Sequence, residues 1–523
     1  MLYYINYINN YIFIYTMFLK LLIISLFITC NSFKCFKPKS LKNYNQFYLK
    51  NKFSPVFEEK TLKIKHKNTL FNRLLESVFY QIGSNPKHVN NEDYHWFDGD
   101  GMIHSVFFNE NEIVYHNKWI QTKRLQTEDK WNKKLYLYFG ELKGINGMLQ
   151  IFKYTLLEKL GIVSKSKGTA NTAMLKWDNR IFALHEGDMP YELNVDYENY
   201  NISTINRIHF PSIYSMTAHP VVDKKRNLLY MYGYNNYDFS NGQFIFNVFD
   251  KHFEMISQKN ISLINNGMVH DVGYCGDYMI IPDMPLKYDY SLILKEKLPM
   301  FFDKENGQTR FGIFDVKKQD EPKWVYFDEN FFIFHFSKAY RRGQKFYIFA
   351  CMMDELYMED FVELKNIENK DHILRGNIRL KEIQIDLEKN TTKIIENQYL
   401  QHLDVGFKYN MDFPILSKKN NKEIYCTIFD ASTGYIRGYV KSNSCWFKFM
   451  KPNVYIFPDD MYGNSEPQLV IINNKEYLVS FINKGDKSYC ALINIEDQTI
   501  EKVEIPTRIP PGFHSMYLES NQY

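Results

Sequence analysis

Four of the 14 histidines sit in apolar, strand-like runs. His219 lies in Met216-Thr217-Ala218-His219-Pro220 and His270 in Met268-Val269-His270-Asp271. His335 lies in Phe332-Ile333-Phe334-His335-Phe336 and His514 in Pro511-Gly512-Phe513-His514-Ser515-Met516. One imidazole in such a run is ordinarily a satisfied core residue. A set of them becomes a site only if the fold makes them converge. Neutral imidazoles bind divalent metals, and an imidazole-rich site with open positions suits ferrous iron and oxygen chemistry. A ligating ring needs a partner for its second nitrogen, usually a carboxylate. Glu186, Asp412 and Glu466 have the apolar or proline neighbours of such partners, although each alone also fits a turn or capping acid. No H-E-x-x-H, G-x-S-x-G, P-loop or G-x-G-x-x-G is present, which removes the usual support for zincin, hydrolase and nucleotide chemistry.

Beyond residue 75, alternating and continuous apolar runs recur between turn residues, the signature of short strands. Hairpins are expected where Asp178-Asn179 separates Ala173–Trp177 from Arg180–His185, and where Asn473-Asn474 separates Pro467–Ile472 from Glu476–Phe481. Two more are expected across Glu496-Asp497 and Gly343. The helical stretches are Ile145–Leu160 and a weaker one over Asp354–Lys370. Many hairpin-linked strands need an arrangement that protects their edges, and a β-propeller does so within one large unit. The 523 residues would suggest several domains at about 150 each, but an all-β propeller breaks that prior. Aromatics at 17% can fill a large core, and a net charge of +4 is too mild for a nucleic-acid footprint. No C-x-x-C exists, which argues against metal knuckles and redox pairs.

The amino terminus reads as a leader. No acid precedes Glu58, and Tyr11–Thr29 is almost wholly apolar. Residues 1–30 therefore fit a secretory signal peptide or, at nearly the ~20 residues needed to span, a membrane anchor. Residues 31–60 are basic, with Lys34, Lys37, Lys39, Lys42, Lys50 and Lys52, and fit a transit-like segment or a linker. The expected division is a signal or anchor over 1–30, the basic segment over 31–60 and one β-propeller domain over 61–523. The chain is expected to enter the secretory pathway, with a plastid or endomembrane destination.

The same segments are similar to the carotenoid cleavage oxygenase family, which includes apocarotenoid oxygenases and the retinal pigment epithelium isomerase. Gly83-Ser84-Asn85-Pro86 and Trp96-Phe97-Asp98-Gly99-Asp100-Gly101-Met102-Ile103-His104 open the resemblance. Asn171-Thr172-Ala173, Leu184-His185-Glu186-Gly187, Thr217-Ala218-His219-Pro220, His270-Asp271 and Pro282-Asp283-Met284-Pro285-Leu286 continue it. Phe334-His335 with Ala339-Tyr340, Asp412-Phe413-Pro414, Ser465-Glu466-Pro467 and Phe513-His514 follow in the family's order. The resemblance implies an all-β, seven-bladed propeller with helices and loops capping one face and Fe(II) on its axis. His219, His270, His335 and His514 would be the ligands. Glu186, Asp412 and Glu466 would support His270, His335 and His514 respectively, leaving His219 without a carboxylate and His104 structural.

Two departures stand out. The family usually has Glu where Asp412 stands, so reaching His335 would need a water bridge or a shifted strand. The segment Phe336-Ser337-Lys338-Ala339-Tyr340-Arg341 differs from the usual His-x-Asn-Ala-Tyr-Glu. The implied activity is cleavage of a conjugated C=C in a carotenoid or apocarotenoid, with O2, to two carbonyl products. An iron-dependent isomerase or isomerohydrolase and a catalytically silent lipid-binding propeller are the alternatives. Leu286–Phe302, apolar residues interleaved with Lys, is the expected peripheral membrane contact.

Overall fold

The computed structural model describes residues 47–89, 93–211, 213–235, 240–362 and 376–519. The expected signal or anchor, and the basic segment up to residue 46, lie outside the described residues. Asn45–Tyr523 forms one compact unit. Local turn chemistry makes the hairpins. Asp178, Asn473 and Asn474 adopt positive φ (50°, 49° and 62°), and Gly343 does so at 60°. Asn, Asp and Gly tolerate that conformation and reverse the chain between paired strands. The strands Ala173–Trp177 and Arg180–Leu184 pair across the first turn, and Gln468–Ile472 pairs with Lys475–Lys484 across the second. Phe332–Arg342 pairs with Lys345–Met353 across Gly343.

These hairpins build antiparallel sheets in chain order. Four are four-stranded; a five-stranded and a nine-stranded sheet flank them in sequence, and a two-stranded hairpin, Leu286–Tyr288 with Met300–Phe302, is inserted in the third of the four. The nine-stranded sheet consists of two further four-stranded units, Tyr409–Leu416 through Asn453–Ile456 and Gln468–Ile472 through Thr499–Ile505, bridged by Met461–Gly463. The result is an all-β propeller of seven blades. Its closure is explicit: the last strand, Ser515–Leu518, joins the first sheet by pairing with Ser77–Ser84. Both ends of the domain thereby satisfy each other's backbone edge. Apolar layers between neighbouring sheets supply the core, as where Phe79, Tyr115, Phe481 and Cys490 meet between the last and first blades.

The helix at Gly144–Lys159 is where the sequence places one. A second, Lys123–Trp131, escapes the apolar-period reading because it is short and polar, and the Thr122 side chain caps it by accepting from the Leu125 N–H at 3.1 Å. Within Asp354–Lys370 the described residues hold only a 3₁₀ turn, Met358–Phe361. No helix among the described residues is long and apolar enough to cross a membrane.

Two segments behave differently from their composition. Residues 47–60, basic in sequence, lie against the body: Tyr48, Leu49 and Phe53 are buried. Tyr48 stacks on Trp96 at 5.4 Å, and Arg508 donates to the Lys52 and Pro55 carbonyls. In Leu286–Phe302, Leu286, Ile293, Leu298 and Met300 are core residues, while Tyr290 and Leu294 are exposed.

Candidate metal centre

Each of the four histidines is set by a different blade. His219 follows the loop in which Thr217 N–H donates to the Tyr232 carbonyl, and its own N–H donates to Thr217 Oγ1 at 2.8 Å. His270 precedes the strand Gly273–Cys275, and the Tyr232 hydroxyl donates to its carbonyl. His335 lies in Phe332–Arg342, whose pairing is irregular from Ile333 to Lys338. His514 immediately precedes the closing strand. A bulge re-aims side chains, and here it lets His335 face the same point as the others.

At that point four imidazole nitrogens lie within 4.8 Å of one another. Nε2 of His270 is 3.0 Å from Nε2 of His219 and 3.3 Å from that of His335, which is 3.2 Å from that of His514. Nitrogens bound to one first-row ion at about 2.1 Å and near right angles would be about 3 Å apart, so the spacing fits a single metal. The outward nitrogens meet carboxylates. His335 Nδ1 is 2.9 Å from Asp412 Oδ1, and His514 Nδ1 is 3.1 Å from Glu466 Oε2. Glu186 Oε1 is 2.7 Å from His270 Nδ1, at contact distance but out of line for a hydrogen bond. A ring whose Nδ1–H is given to a carboxylate presents a bare lone pair at Nε2. Such lone pairs 3.2 Å apart cannot bond each other; a cation between them satisfies both.

The electrostatics agree with this donor set. Burial, reinforced by the neighbouring rings, holds His219 and His335 well below the ordinary imidazole range, so they are neutral ligands in waiting. Burial also acts on His270, but the Glu186 carboxylate outweighs it and raises that ring. Reciprocally, burial opposes ionisation of Glu186, and the His270 ring overcomes it, lowering the carboxyl. Burial pushes Asp412 up to about 7, against the Phe413 backbone N–H and the His270 and His514 rings. Positive charge at the Nε2 focus would favour its carboxylate form.

Of the two expected ways for the shorter Asp412 to reach His335, the structure shows the shifted strand, with direct contact and no need of a water bridge. The strand Tyr409–Leu416 shifts register between Asp412 and Ile415, and Phe413 there takes φ +50°. Such a conformation in a bulky residue is costly and is held only by surrounding structure. Its consequence is local: the Phe413 ring packs 5.0 Å from both His335 and His514. His219 has no carboxylate in hydrogen-bond reach among the described residues. His104 is buried in the first blade, Nδ1 2.8 Å from the Tyr115 hydroxyl, away from the cluster. The altered segment Phe336–Arg341 runs outward from His335 and does not line the cavity. Phe336 N–H donates to Asp271 Oδ2 at 2.8 Å, tying the His335 strand to the residue after His270.

A cavity of about 420 Å³ opens onto His270, His335 and His514. Its wall carries many aromatic side chains, among them Trp96, Phe97, Phe334, Phe361, Phe413 and Phe513, with polar ones such as Asp98, Arg124, Asp360 and Asn410 between them. Tyr48 and Phe53, from the segment after the leader, also line it, as do Tyr154 from the long helix and Tyr290 from the inserted hairpin. No pattern in the sequence separates these wall residues from ordinary core, because long-range packing alone selects them.

The family model for the retinal pigment epithelial membrane protein, RPE65, matches residues 71–519. The chain belongs to this family. A relative within curated proteins is carotenoid 9,10(9′,10′)-cleavage dioxygenase 1 of Arabidopsis thaliana, 27% identical over 91% of this chain and 90% of that one. The enzyme of the same name from Phaseolus vulgaris is 25% identical over 91% and 90%. Among solved structures, lignostilbene dioxygenase of Pseudomonas brassicacearum superposes with a TM-score of 0.71 at 15% identity, covering 91% of this chain and 99% of that one. A variant of Synechocystis apocarotenoid oxygenase gives 0.70 at 16%, covering 89% and 97%. These superpositions place the propeller within the family's fold.

Proposed function

We infer that this protein is a non-haem Fe(II) dioxygenase that cleaves a conjugated C=C bond of a carotenoid or apocarotenoid, with O2, into two carbonyl products. The observation that carries the reading is the convergence of four imidazoles at one point, with a cavity carrying many aromatic side chains opening onto three of them. The cofactor is iron. His219, His270, His335 and His514 would hold it through Nε2, with Asp412 and Glu466 hydrogen-bonded to Nδ1 of His335 and His514 and the Glu186 carboxylate set against Nδ1 of His270. Four neutral ligands leave the ion its full positive charge, and when bound it supplies the site for O2 activation. The residues of the chain do the rest. Phe334 and Phe413 pack against the histidines and exclude water, and the aromatic wall receives a rod-like polyene and holds one bond near the ion. The polyene itself supplies the electrons, so no reducing cosubstrate is needed.

Iron-loaded protein incubated with a panel of carotenoids, apocarotenals and stilbenes under labelled O2 tests the reading, with products read by mass. Label in the carbonyl products is expected. Product formed equally well without O2 would replace cleavage by isomerisation, and stoichiometric iron absent from wild-type protein would remove the metal chemistry altogether.

A polyene leaves a membrane to enter such a cavity. Ile145, Met148 and Leu149 on the helix, with Tyr290 and Leu294 on the inserted hairpin against which it packs, form an exposed apolar patch. Tyr290 also lines the cavity, so the patch rims it. The paired changes Ile145→Glu and Leu294→Glu are expected to abolish co-sedimentation with liposomes while leaving cleavage in detergent intact. The organisation proposed is one propeller domain over 61–523 behind a signal or anchor (1–30) and a basic segment (31–60), with a plastid destination. Three relatives carry the word chloroplastic in their names: the 9-cis-epoxycarotenoid dioxygenases NCED6 of Arabidopsis thaliana and NCED2 of Oryza sativa, and the probable carotenoid cleavage dioxygenase 4 of Arabidopsis thaliana. A fluorescent protein fused behind residues 1–60 reports the compartment.

A further inference from the structure

Residues 47–56 lie before the region matched by the family model, which begins at residue 71, yet they help to wall the cavity. Four blades hold them. The Tyr48 hydroxyl donates to the Asp360 carbonyl at 3.1 Å, Phe53 stacks on Tyr435 at 5.6 Å, and the Lys52 ammonium donates to the Gly485 carbonyl at 2.7 Å. Val56 N–H donates to Asn85 Oδ1, and Asn85 Nδ2 returns a bond to the Val56 carbonyl, each at 2.8 Å. Asp360, Tyr435, Gly485 and Asn85 lie in the loops that follow Lys345–Met353, Glu423–Asp430, Lys475–Lys484 and Ser77–Ser84. Counted outward from the strands that carry or adjoin residues of the centre, each of these is the second strand of its blade, in the fifth, sixth, seventh and first blades. Neighbouring strands of an antiparallel blade alternate in direction, so the ends of all the second strands share one face. The segment is a strap across that face, and it spans the seam where the ring closes. Tyr48 and Phe53, 3% and 6% exposed, line the cavity and pack on Trp96 at 5.4 and 5.2 Å. Trp96 packs in turn on Phe513, the neighbour of His514, at 4.9 Å. The rings form a continuous wall from the His514 side of the centre out to the strap. On the side of the inserted hairpin the cavity is rimmed instead by Tyr290, 55% exposed.

We propose that Tyr48 and Phe53 are specificity-determining residues: the strap stops a polyene that enters past Tyr290, so these two rings set how much of it is held beyond the metal and which bond is presented there. This rests on the cleavage reading above. Two apolar faces select by shape and length, and attachment to four blades keeps the strap from yielding. A chain too long for the space is rejected by overpacking against a close-packed wall instead of being accommodated.

The test uses the iron-loaded full chain and a series of apocarotenals that share one end and differ in length by one isoprene unit. Dissociation constants are measured without O2 by quenching of tryptophan fluorescence, and kcat/KM and product masses in air. Tyr48→Ala with Phe53→Ala is expected to shift the preference toward the longer of two neighbouring members by about ten- to two-hundredfold in both readouts, the range for a small apolar group in an apolar pocket. New product masses are expected with it, because the chain slides further past the metal. Phe53→Leu, which trims the wall and keeps an apolar strap, is expected to shift the preference the same way by less. Tyr48→Phe, which keeps the ring and loses only the bond to Asp360, is expected to retain the wild-type preference. An unchanged length preference in Phe53→Leu, or wild-type cleavage with no length preference, overturns the strap's role and leaves the cleavage reading intact. A length preference that shifts in binding while no member is cleaved supports the strap and overturns the cleavage reading.

Discussion

Asp412 meets a histidine of the centre directly, and three substitutions separate what its carboxylate does. Oδ1 lies 2.9 Å from His335 Nδ1, with Asp412 and His335 9% and 8% exposed. Asp412→Ala removes the only carboxylate contact of a buried ring N–H. Leaving such a donor unsatisfied costs about 1–3 kcal/mol, or about five- to more than a hundredfold in an equilibrium constant. Loss of a ligand's outer partner typically costs about 10–100-fold in metal affinity, so iron binding should fall within that range. Asp412→Asn keeps a neutral acceptor in place and should lose only the charge assistance, about three- to tenfold. Asp412→Glu restores the family's residue but adds a methylene beside Phe413, whose ring packs 5.0 Å from His335 in a strand already shifted for the shorter acid. Overpacking of that kind costs about 1–3 kcal/mol, so this variant should melt lower and bind iron no tighter than wild type. Competition with a calibrated chelator gives the iron Kd, and calorimetry gives the stability. Wild-type iron affinity in Asp412→Ala, or tighter binding in Asp412→Glu, would refute the orienting role and the coupling to the bulge.

Three further outcomes follow from the same geometry. Iron binds the folded chain and should stabilise it by about 2.7 kcal/mol at a free concentration a hundredfold above Kd. Chelation should therefore lower Tm in wild type but not in His270→Ala with His514→Ala, and a Tm unmoved by chelation in wild type would contradict metal binding at the folded site. Asp98, on the cavity wall, is pushed from 3.8 up to about 6 by burial, against the Phe139 and Gly140 backbone N–H groups and the Arg124 charge. The unfolded chain loses that proton first as pH rises, so Asp98 should reduce stability between about pH 4 and 6 and by a constant amount above. Asp98→Asn should flatten that slope in urea melts at several pH values. Finally, a chain shortened to begin at residue 47 should match the full chain in Tm, whereas one beginning at 57 should melt lower. It loses Tyr48, Leu49 and Phe53, each worth about 1.5–3 kcal/mol when fully buried, and it opens the cavity wall they form.

The residues of the centre were legible in the chain because they are carried by short, ordered contexts. His219, His270, His335 and His514, with Glu186, Asp412 and Glu466, could all be named from their neighbours, and the hairpins from Asp178, Gly343 and Asn473-Asn474. Turn chemistry and strand alternation act over a few residues, so sequence reveals them. What the sequence could not contain was distance. That Asp412 would meet His335 without a water depended on a register shift and a left-handed Phe413, backbone geometry that the segment Asp412-Phe413-Pro414 does not declare. The basic composition of residues 47–60 hid three buried apolar side chains, since the partners that bury them, Trp96, Tyr435 and Asp360, lie far along the chain. In Leu286–Phe302 the same apolar residues divide between core and surface according to which side of the inserted hairpin they fall on. Sequence determined which groups were available to do chemistry; only the closure of seven blades decided which of them share one space.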